Sequence, residues 1–273
     1  MANKLYVVST PIGNLSEISP RALEVLNSVD VIACEDTRVT KKLCLHFGIE
    51  KPLISCHEHN EFLIHNKIVE QILDGKKVAL VSDAGYPGIS DPGSILIKKC
   101  IENAVEIEVI SGPCALINAL VSSGLDTTHF YYFGFLSSKR SLRKKELKAL
   151  NEKEETMIFY EAPHRIVDTL EDMVEIFGNR QISLSRELTK KHEQHLRGTI
   201  SDVLERLNEE NTRGEMVLVV EGMKREEIKI SDIDVIRSVN KLIESGITAK
   251  DAIKQVAEKY SLGKNEVYKL YHQ

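Results

Sequence analysis

The 273-residue chain has no apolar run near the roughly 20 residues that a membrane span requires. Its five cysteines (Cys34, Cys44, Cys56, Cys100 and Cys114) are odd in number and include no C-x-x-C pair. That pattern argues against a disulfide framework or a structural zinc site, and for reduced thiols in a cytoplasmic protein. Met1-Ala2-Asn3-Lys4 runs straight into Leu5-Tyr6-Val7-Val8, without a signal-peptide layout. G-x-G-x-x-G and Walker A sequences are both absent, so the usual dinucleotide and phosphate readings lack their residues. No serine–histidine pairing marks a nucleophilic triad, and no His/Asp/Glu group has metal spacing. His57 and His59, beside Cys56 and Glu58, read as alternating residues at an exposed strand end rather than ligands. There is no internal repeat and no low-complexity segment. The net charge of −5 argues against a protein that coats nucleic acid nonspecifically.

What is present is a soluble, globular composition, 42% apolar and 28% charged, in a chain long enough for two domains. The first 112 residues alternate strand-like runs (Leu5–Val8, Val29–Cys34, Leu53–Cys56, Val78–Ser82, Ile107–Ile110) with helical patterns such as Asn60–Leu73 and Ile95–Glu102. Such alternation predicts right-handed βαβ units and a mostly parallel sheet. After a helix over Ala115–Ser123, strands are expected at Phe130–Leu136, Thr156–Glu161, Ile182–Arg186 and Met216–Glu221, separated by helices at Leu142–Leu150, Ile166–Phe177 and Asp202–Asn208. Their aromatic and β-branched content suits a mixed sheet. Beyond the charged linker Lys224-Arg225-Glu226-Glu227, amphipathic spacing predicts three short helices: Asp232–Glu244, Ala249–Tyr260 and Lys264–Tyr271. The expected division is 1–112, 113–224 and 225–273.

Chemistry concentrates in the loops. Ser82-Asp83-Ala84-Gly85-Tyr86-Pro87-Gly88-Ile89-Ser90-Asp91-Pro92-Gly93 follows a buried strand and holds three glycines, two prolines and two aspartates. Such a loop bares its backbone to a ligand, at the strand end where open α/β sheets bind small molecules. Asp83 and Asp91 either accept from hydroxyls or an ammonium, or cap neighbouring helices. Thr10-Pro11-Ile12-Gly13-Asn14 is a tight turn with open backbone groups. Ser111-Gly112-Pro113-Cys114-Ala115 offers N–H groups at a helix start. In Phe159-Tyr160-Glu161-Ala162-Pro163-His164-Arg165, Pro163 is preset for the first helical turn, which would aim Glu161, His164 and Arg165 at the cleft. Arg186-Glu187-Leu188-Thr189-Lys190-Lys191-His192-Glu193 reads equally as a phosphate-facing loop or a wet surface. Residues 139–148 hold six Lys/Arg against Glu146 alone, while residues 1–112 carry 11 Lys/Arg against 15 Asp/Glu. The acidic chain therefore carries a local basic stripe able to meet phosphates.

Taken in order, STPIGNL at 9–15, CEDTR at 34–38, SDAGYPGISDPG at 82–93, FYEAPHR at 159–165, SREL at 185–188, RGT at 197–199 and RGEMVLVVEG at 213–222 resemble the tetrapyrrole-methylase superfamily of S-adenosylmethionine-dependent transferases. Within it, the ribosomal RNA small subunit methyltransferase I family is matched over essentially the whole chain. The resemblance implies an α/β, two-domain, class III methyltransferase fold: a mostly parallel N-terminal sheet, a mixed C-terminal sheet and a small helical tail. It also implies a cytoplasmic homodimer that methylates a cytidine 2′-hydroxyl in the decoding region of 16S rRNA, within the 30S subunit. Carried over by motif position, Pro11, Ile12, Gly13, Asp83, Ala84, Gly85, Ser90, Asp91, Gly112, Pro113, Cys114 and Ala115 would line the donor pocket. Tyr160, Glu161, Ala162, Gly214, Glu215, Met216, Val217 and Leu218 would close it. The sequence departs from the family pattern at Tyr86, usually threonine, and at Ser111 and Cys114, usually proline and serine.

For such a reaction the candidate proton acceptors are Glu161, His164 and Asp83, with no metal. Lys139, Arg140, Arg143, Lys144, Arg165, Arg186 and Lys190 are the expected RNA contacts. Three rivals share parts of the pattern. They are a C-methyltransferase of cobalamin or sirohaem precursors, a non-enzymatic DNA-binding regulator using the helical tail, and a nicotinamide oxidoreductase.

Overall fold

The computed structural model describes residues 3–56, 61–208, 210–224, 231–260 and 262–272, with only the backbone of 61–63. His57, Glu58, His59 and the proposed helix start at Asn60 lie outside the described residues, as do linker residues Arg225–Glu227. The chain divides into two compact units, Met1–Met223 and Lys224–Gln273.

The first unit begins with β1 (Lys4–Val8), α1 (Pro20–Ser28), β2 (Val31–Cys34), α2 (Thr37–Phe47), β3 (Leu53–Ser55), α3 (Glu61–Leu73), β4 (Val78–Val81), α4 (Ser94–Glu102) and β5 (Glu106–Ile110). The strands run in the order β3-β2-β4-β1-β5, every pair parallel. Alternate residues sort to opposite faces. Leu5, Val7, Val31, Ala33, Val78 and Leu80 pack against α3 and α4, while Val8, Ile32, Cys34, Ala79 and Val81 pack against α1 and α2. A strand buried on both faces needs apolar residues at every position, which is why these runs stand out in the sequence. Helices α1 and α2, which the periodicity reading did not single out, begin at side-chain caps. Ser19 Oγ accepts from Ala22 N at 3.1 Å, and Asp36 Oδ1 from Arg38 N at 2.8 Å.

Then come α5 (Ala115–Ser123), β6 (Phe130–Phe135), α6 (Arg140–Leu150), β7 (Thr156–Glu161), α7 (Ile166–Phe177), β8 (Gln181–Arg186), β9 (Gln194–Thr199), α8 (Ile200–Glu205) and β10 (Met216–Val220). The second sheet is ordered β6-β7-β10-β8-β9, with β6 and β7 parallel and the remaining pairs antiparallel. One face packs on α6, α7 and α8 through Phe159, Leu170, Leu184 and Leu218. The other packs on α5, and its apolar cluster takes in Ile12 from the loop after β1, so the two sheets share a core. Two expectations are corrected here. Strand β9, not expected from the sequence, follows the charged loop at 186–193. Helix α8 starts at Ile200 rather than Asp202, because Thr199 and Asp202 form a reciprocal capping box, Asp202 N donating to Thr199 Oγ1 at 3.2 Å and Thr199 N to Asp202 Oδ2 at 2.8 Å.

The second unit holds α9 (Asp232–Glu244), α10 (Ala249–Tyr260) and α11 (Lys264–His272), at nearly the bounds the spacing predicts. Val235, Val239, Ile253, Val256 and Val267 form its own core. Among the described residues no helix is long and apolar enough to cross a membrane.

Candidate functional site

The loops that leave the C-terminal ends of β1, β4 and β5 are stitched together by their backbones. Thr10 N donates to Gly85 O at 2.9 Å and Gly85 N returns to Thr10 O at 3.0 Å. Ser9 Oγ donates to Pro113 O at 2.8 Å, and Thr10 Oγ1 to Ser82 O at 3.2 Å. Tyr86, one of the departures from the family pattern, receives the Gly112 N–H on its hydroxyl at 3.1 Å. It thereby ties the 82–93 loop to the 111–115 loop. β1 and β4 are neighbours whose chains leave along the sheet in opposite directions, the arrangement at which open α/β sheets place their ligands.

Against these loops stands a cavity of about 340 Å³. Its lining draws Ile12, Ala84, Gly85, Ser90, Asp91, Cys114 and Ala115 from the first sheet's loops. Tyr160, Glu161, Ala162, Gly214, Glu215, Met216 and Val217 come from the second sheet, all of them anticipated. Pro11, Gly13, Asp83, Gly112, Pro113 and Leu218 stand outside the lining. Gly112 and Pro113 position the loop, and Leu218 faces the opposite core. Gly13 marks where the halves touch. A Cβ there would overlap Lys190 Cγ and come within 3.0 Å of Thr189 Oγ1, so the loop after β8 seats on the loop after β1. Tyr86, Ile89, Phe135, Pro163 and Leu188 also line the cavity. Nothing in the sequence marks them as lining residues, because an apolar residue in a strand or loop carries no signal of which side it faces.

Three carboxylates line this cavity and, among the described residues, no Lys, Arg or His does. Glu161 is 2% exposed and fully engaged. Arg165 Nη2 donates to its Oε1 at 2.5 Å, Ala162 N to the same oxygen at 2.8 Å, and Thr169 Oγ1 to Oε2 at 2.7 Å. Glu215 is paired with Lys190 at 3.0 Å. Asp91 has no cationic partner among the described residues. Burial, reinforced by the nearby charge of Glu35, pushes its carboxyl up to about 7. Burial also raises the Tyr160 hydroxyl above its usual range. Asp83 lies behind the wall, where its carboxylate accepts from Asp36 N at 3.1 Å and braces the loop after β2. Burial is the larger influence on it and raises its pKa.

The other expected residues separate. His164 is exposed, in a short 3-10 turn beside cavity-lining Pro163. Lys139 is exposed at the start of α6. Arg143 does not face solvent. It is 2% exposed and its Nε and Nη2 each lie 2.8 Å from Asp172 of α7, a carboxylate that also takes Arg140 at 2.9 Å and Lys144 at 3.6 Å. Phosphate contact by Arg143 is therefore corrected to a buried ion pair. Arg165 is occupied by Glu161, Arg186 reaches Arg213 O and Gln194 Oε1 at 3.3 Å, and Lys190 holds Glu187 at 2.9 Å as well as Glu215. Among the described residues no group of three His, Cys, Asp or Glu is placed to hold a metal ion.

Residues 4–204 match the family model of the Tetrapyrrole (Corrin/Porphyrin) Methylases. A curated protein of Bacillus subtilis (strain 168), Ribosomal RNA small subunit methyltransferase I, is 47% identical over 273 residues, covering 98% of this chain and 94% of its own. The protein of the same name from Escherichia coli O157:H7 is 43% identical, with 97% and 93% covered. Among solved structures, the methyltransferase CobJ superposes with a TM-score of 0.60 at 18% identity, over 81% of this chain and 96% of that one. Diphthine synthase superposes with 0.59 at 13%, over 80% and 89%. At such identities the likeness is one of fold.

Proposed function

Since the chain belongs to the ribosomal RNA small subunit methyltransferase I family of the tetrapyrrole methylases, we propose that its cavity binds S-adenosylmethionine and serves methylation of a cytidine 2′-hydroxyl in the decoding region of 16S rRNA. The observation that carries the reading is the charge of the cavity. Glu161 and Glu215 are neutralised by Arg165 and Lys190, which leaves the Asp91 carboxyl, without a cationic partner among the described residues, to meet a ligand with a sulfonium and an ammonium. Among the described residues the lining offers no Lys, Arg or His to a pyrophosphate. The volume falls in the usual range of small-molecule sites, about 300–1,000 Å³. Small side chains at Ala84, Ala115 and Ala162 leave backbone groups accessible, and Tyr160 offers a flat apolar wall.

Bound there, the donor supplies an electrophilic methyl group on positively charged sulfur. The residues present do the rest by placement. Asp91 offers a counter-charge, and Ile12, Leu188 and Val217 exclude water. The two stitched loop sets hold the site in one geometry, and positioning of reactants is worth roughly 7–11 kcal/mol. We assign the proton-accepting role to His164 rather than to Glu161 or Asp83, whose carboxylates are already engaged. Imidazole is the side chain most used for proton transfer, which contributes on the order of 10²–10⁴-fold. Residues 1–112 and 113–224 act on this reading as two domains closing on the donor. The family resemblance supports a cytoplasmic homodimer working on the 30S subunit, with phosphates met by exposed cations such as Lys139.

Calorimetric titration tests the carrying observation. S-adenosylmethionine should bind and NAD should not. NAD binding of equal strength, or no binding of S-adenosylmethionine, would defeat the proposal.

A further inference from the structure

Strand β6 carries an irregularity that decides what the cavity presents to its substrate. Tyr132 pairs with Ile158 on β7, but Gly134 pairs with Phe159 and Phe135 with Tyr160, so one extra residue is inserted between Tyr132 and Gly134. Side chains alternate faces along a strand, and a one-residue slip exchanges the faces. Without the insertion Gly134 would lie opposite Tyr160, and Phe135 would lie opposite Glu161, whose carboxylate is bound to Thr169 on the α7 side. With it, Tyr132 and Phe135, three residues apart, both reach the Tyr160 ring, at centroid distances of 5.3 and 5.6 Å.

Gly134 makes the bulge possible. Its φ of +87° is one that side chains resist, and a Cβ would lie 3.3 Å from Ser90 Oγ. Ser90 is bonded in turn to the Tyr132 hydroxyl at 2.5 Å, which fixes β6 to the 82–93 loop. The result is an aromatic ring that lines the cavity yet stays 52% exposed. A large apolar side chain left open at a cavity rim has an unmet partner. Lys139, four residues on, is exposed and forms no ion pair among the described residues. An open aromatic face with an exposed cation a few residues along the chain is the kind of surface that unstacked bases of single-stranded RNA occupy.

We propose that Phe135 is the stacking platform for the nucleobase of the target nucleotide, holding its ribose at the mouth of the cavity while Lys139 meets the adjoining phosphate. This rests on the RNA-methylating reading above. A base stacked on an aromatic side chain gains roughly 1–3 kcal/mol, so loss of the ring costs on the order of 5- to 150-fold in RNA recognition.

The test compares wild type with Phe135→Ala, Phe135→Leu and Phe135→Tyr, using small subunits from cells lacking this methyl group. Donor affinity is measured by calorimetry on the same samples. Phe135→Ala and Phe135→Leu should both raise KM for the subunit by about fivefold or more, with donor affinity within about twofold of wild type. Phe135→Tyr should restore it. An unchanged KM in the alanine variant, or rescue by leucine, overturns the platform while leaving the functional reading intact. Loss of donor affinity in the alanine variant also overturns it, making Phe135 a donor wall. A wild type that binds donor but methylates no RNA overturns both.

Discussion

Asp91 illustrates how a single side chain is prepared for a ligand. Its carboxyl titrates at about 7 in the folded chain, against about 3.9 for an unperturbed aspartate. The folded state thus holds the proton more tightly. Asp91's contribution to stability is full below the unfolded value and is lost as pH rises through about 7. A cation beside the carboxylate reverses that penalty. Donor affinity should therefore weaken as pH falls below 7, while Asp91→Asn should bind weakly with no such pH dependence. The same variant should melt at a higher temperature than wild type at pH 8 and at a similar one at pH 4. Calorimetry and thermal denaturation across this range check both statements, and tight, pH-dependent binding by Asp91→Asn would contradict them. At this scale the loops were legible, because glycine, proline and aspartate clustered after apolar runs leave few structural alternatives. Phe135 was not, since its facing depends on a bulge that no spacing rule announces.

At the scale of elements, α6 shows how a run of one charge misleads. Arg140, Arg143 and Lys144 have i, i+3, i+4 spacing, so they share one helical face. That face meets the buried Asp172 of α7, which encloses Arg143 while Arg140 keeps an exposed side chain. Removing one partner of a buried pair strands the other charge, at a cost of about 3–5 kcal/mol. Asp172→Ala should lose stability of that order by chemical denaturation, and a loss below about 1 kcal/mol would show the pair to be dispensable. Lys148→Ala, on the exposed side, should leave stability within about 0.5 kcal/mol and weaken rRNA binding in a salt-dependent way, as binding measured across salt concentrations would report. Elements with strong apolar signals matched closely. Helices at Ala115–Ser123 and Ile166–Phe177 and the strand at Thr156–Glu161 have the bounds expected. Strand β9 escaped notice because it is an edge strand whose Leu196 alone is buried, and its His195, Arg197 and Gly198 read as loop.

For the whole molecule, alternation of strand and helix sufficed to indicate a parallel sheet, and the motif order sufficed to indicate the family. Neither reveals how the sheets meet. The meeting is made by Ile12, Leu188 and Val217, three apolar side chains from three separate loops or strands that pack into one cluster beside the cavity. The cavity is thus a product of the fold rather than of any one motif, lined by acids and rimmed by an aromatic ring.

The measurement closest to the central claim offers the protein methyl-labelled S-adenosylmethionine with small subunits lacking the modification and, in parallel, with a tetrapyrrole precursor. The RNA is then digested to nucleosides and the label mapped. Label in a 2′-O-methylcytidine of the decoding region, with none in the tetrapyrrole, is the predicted result. Label in the tetrapyrrole alone, or on a base carbon, would contradict the account.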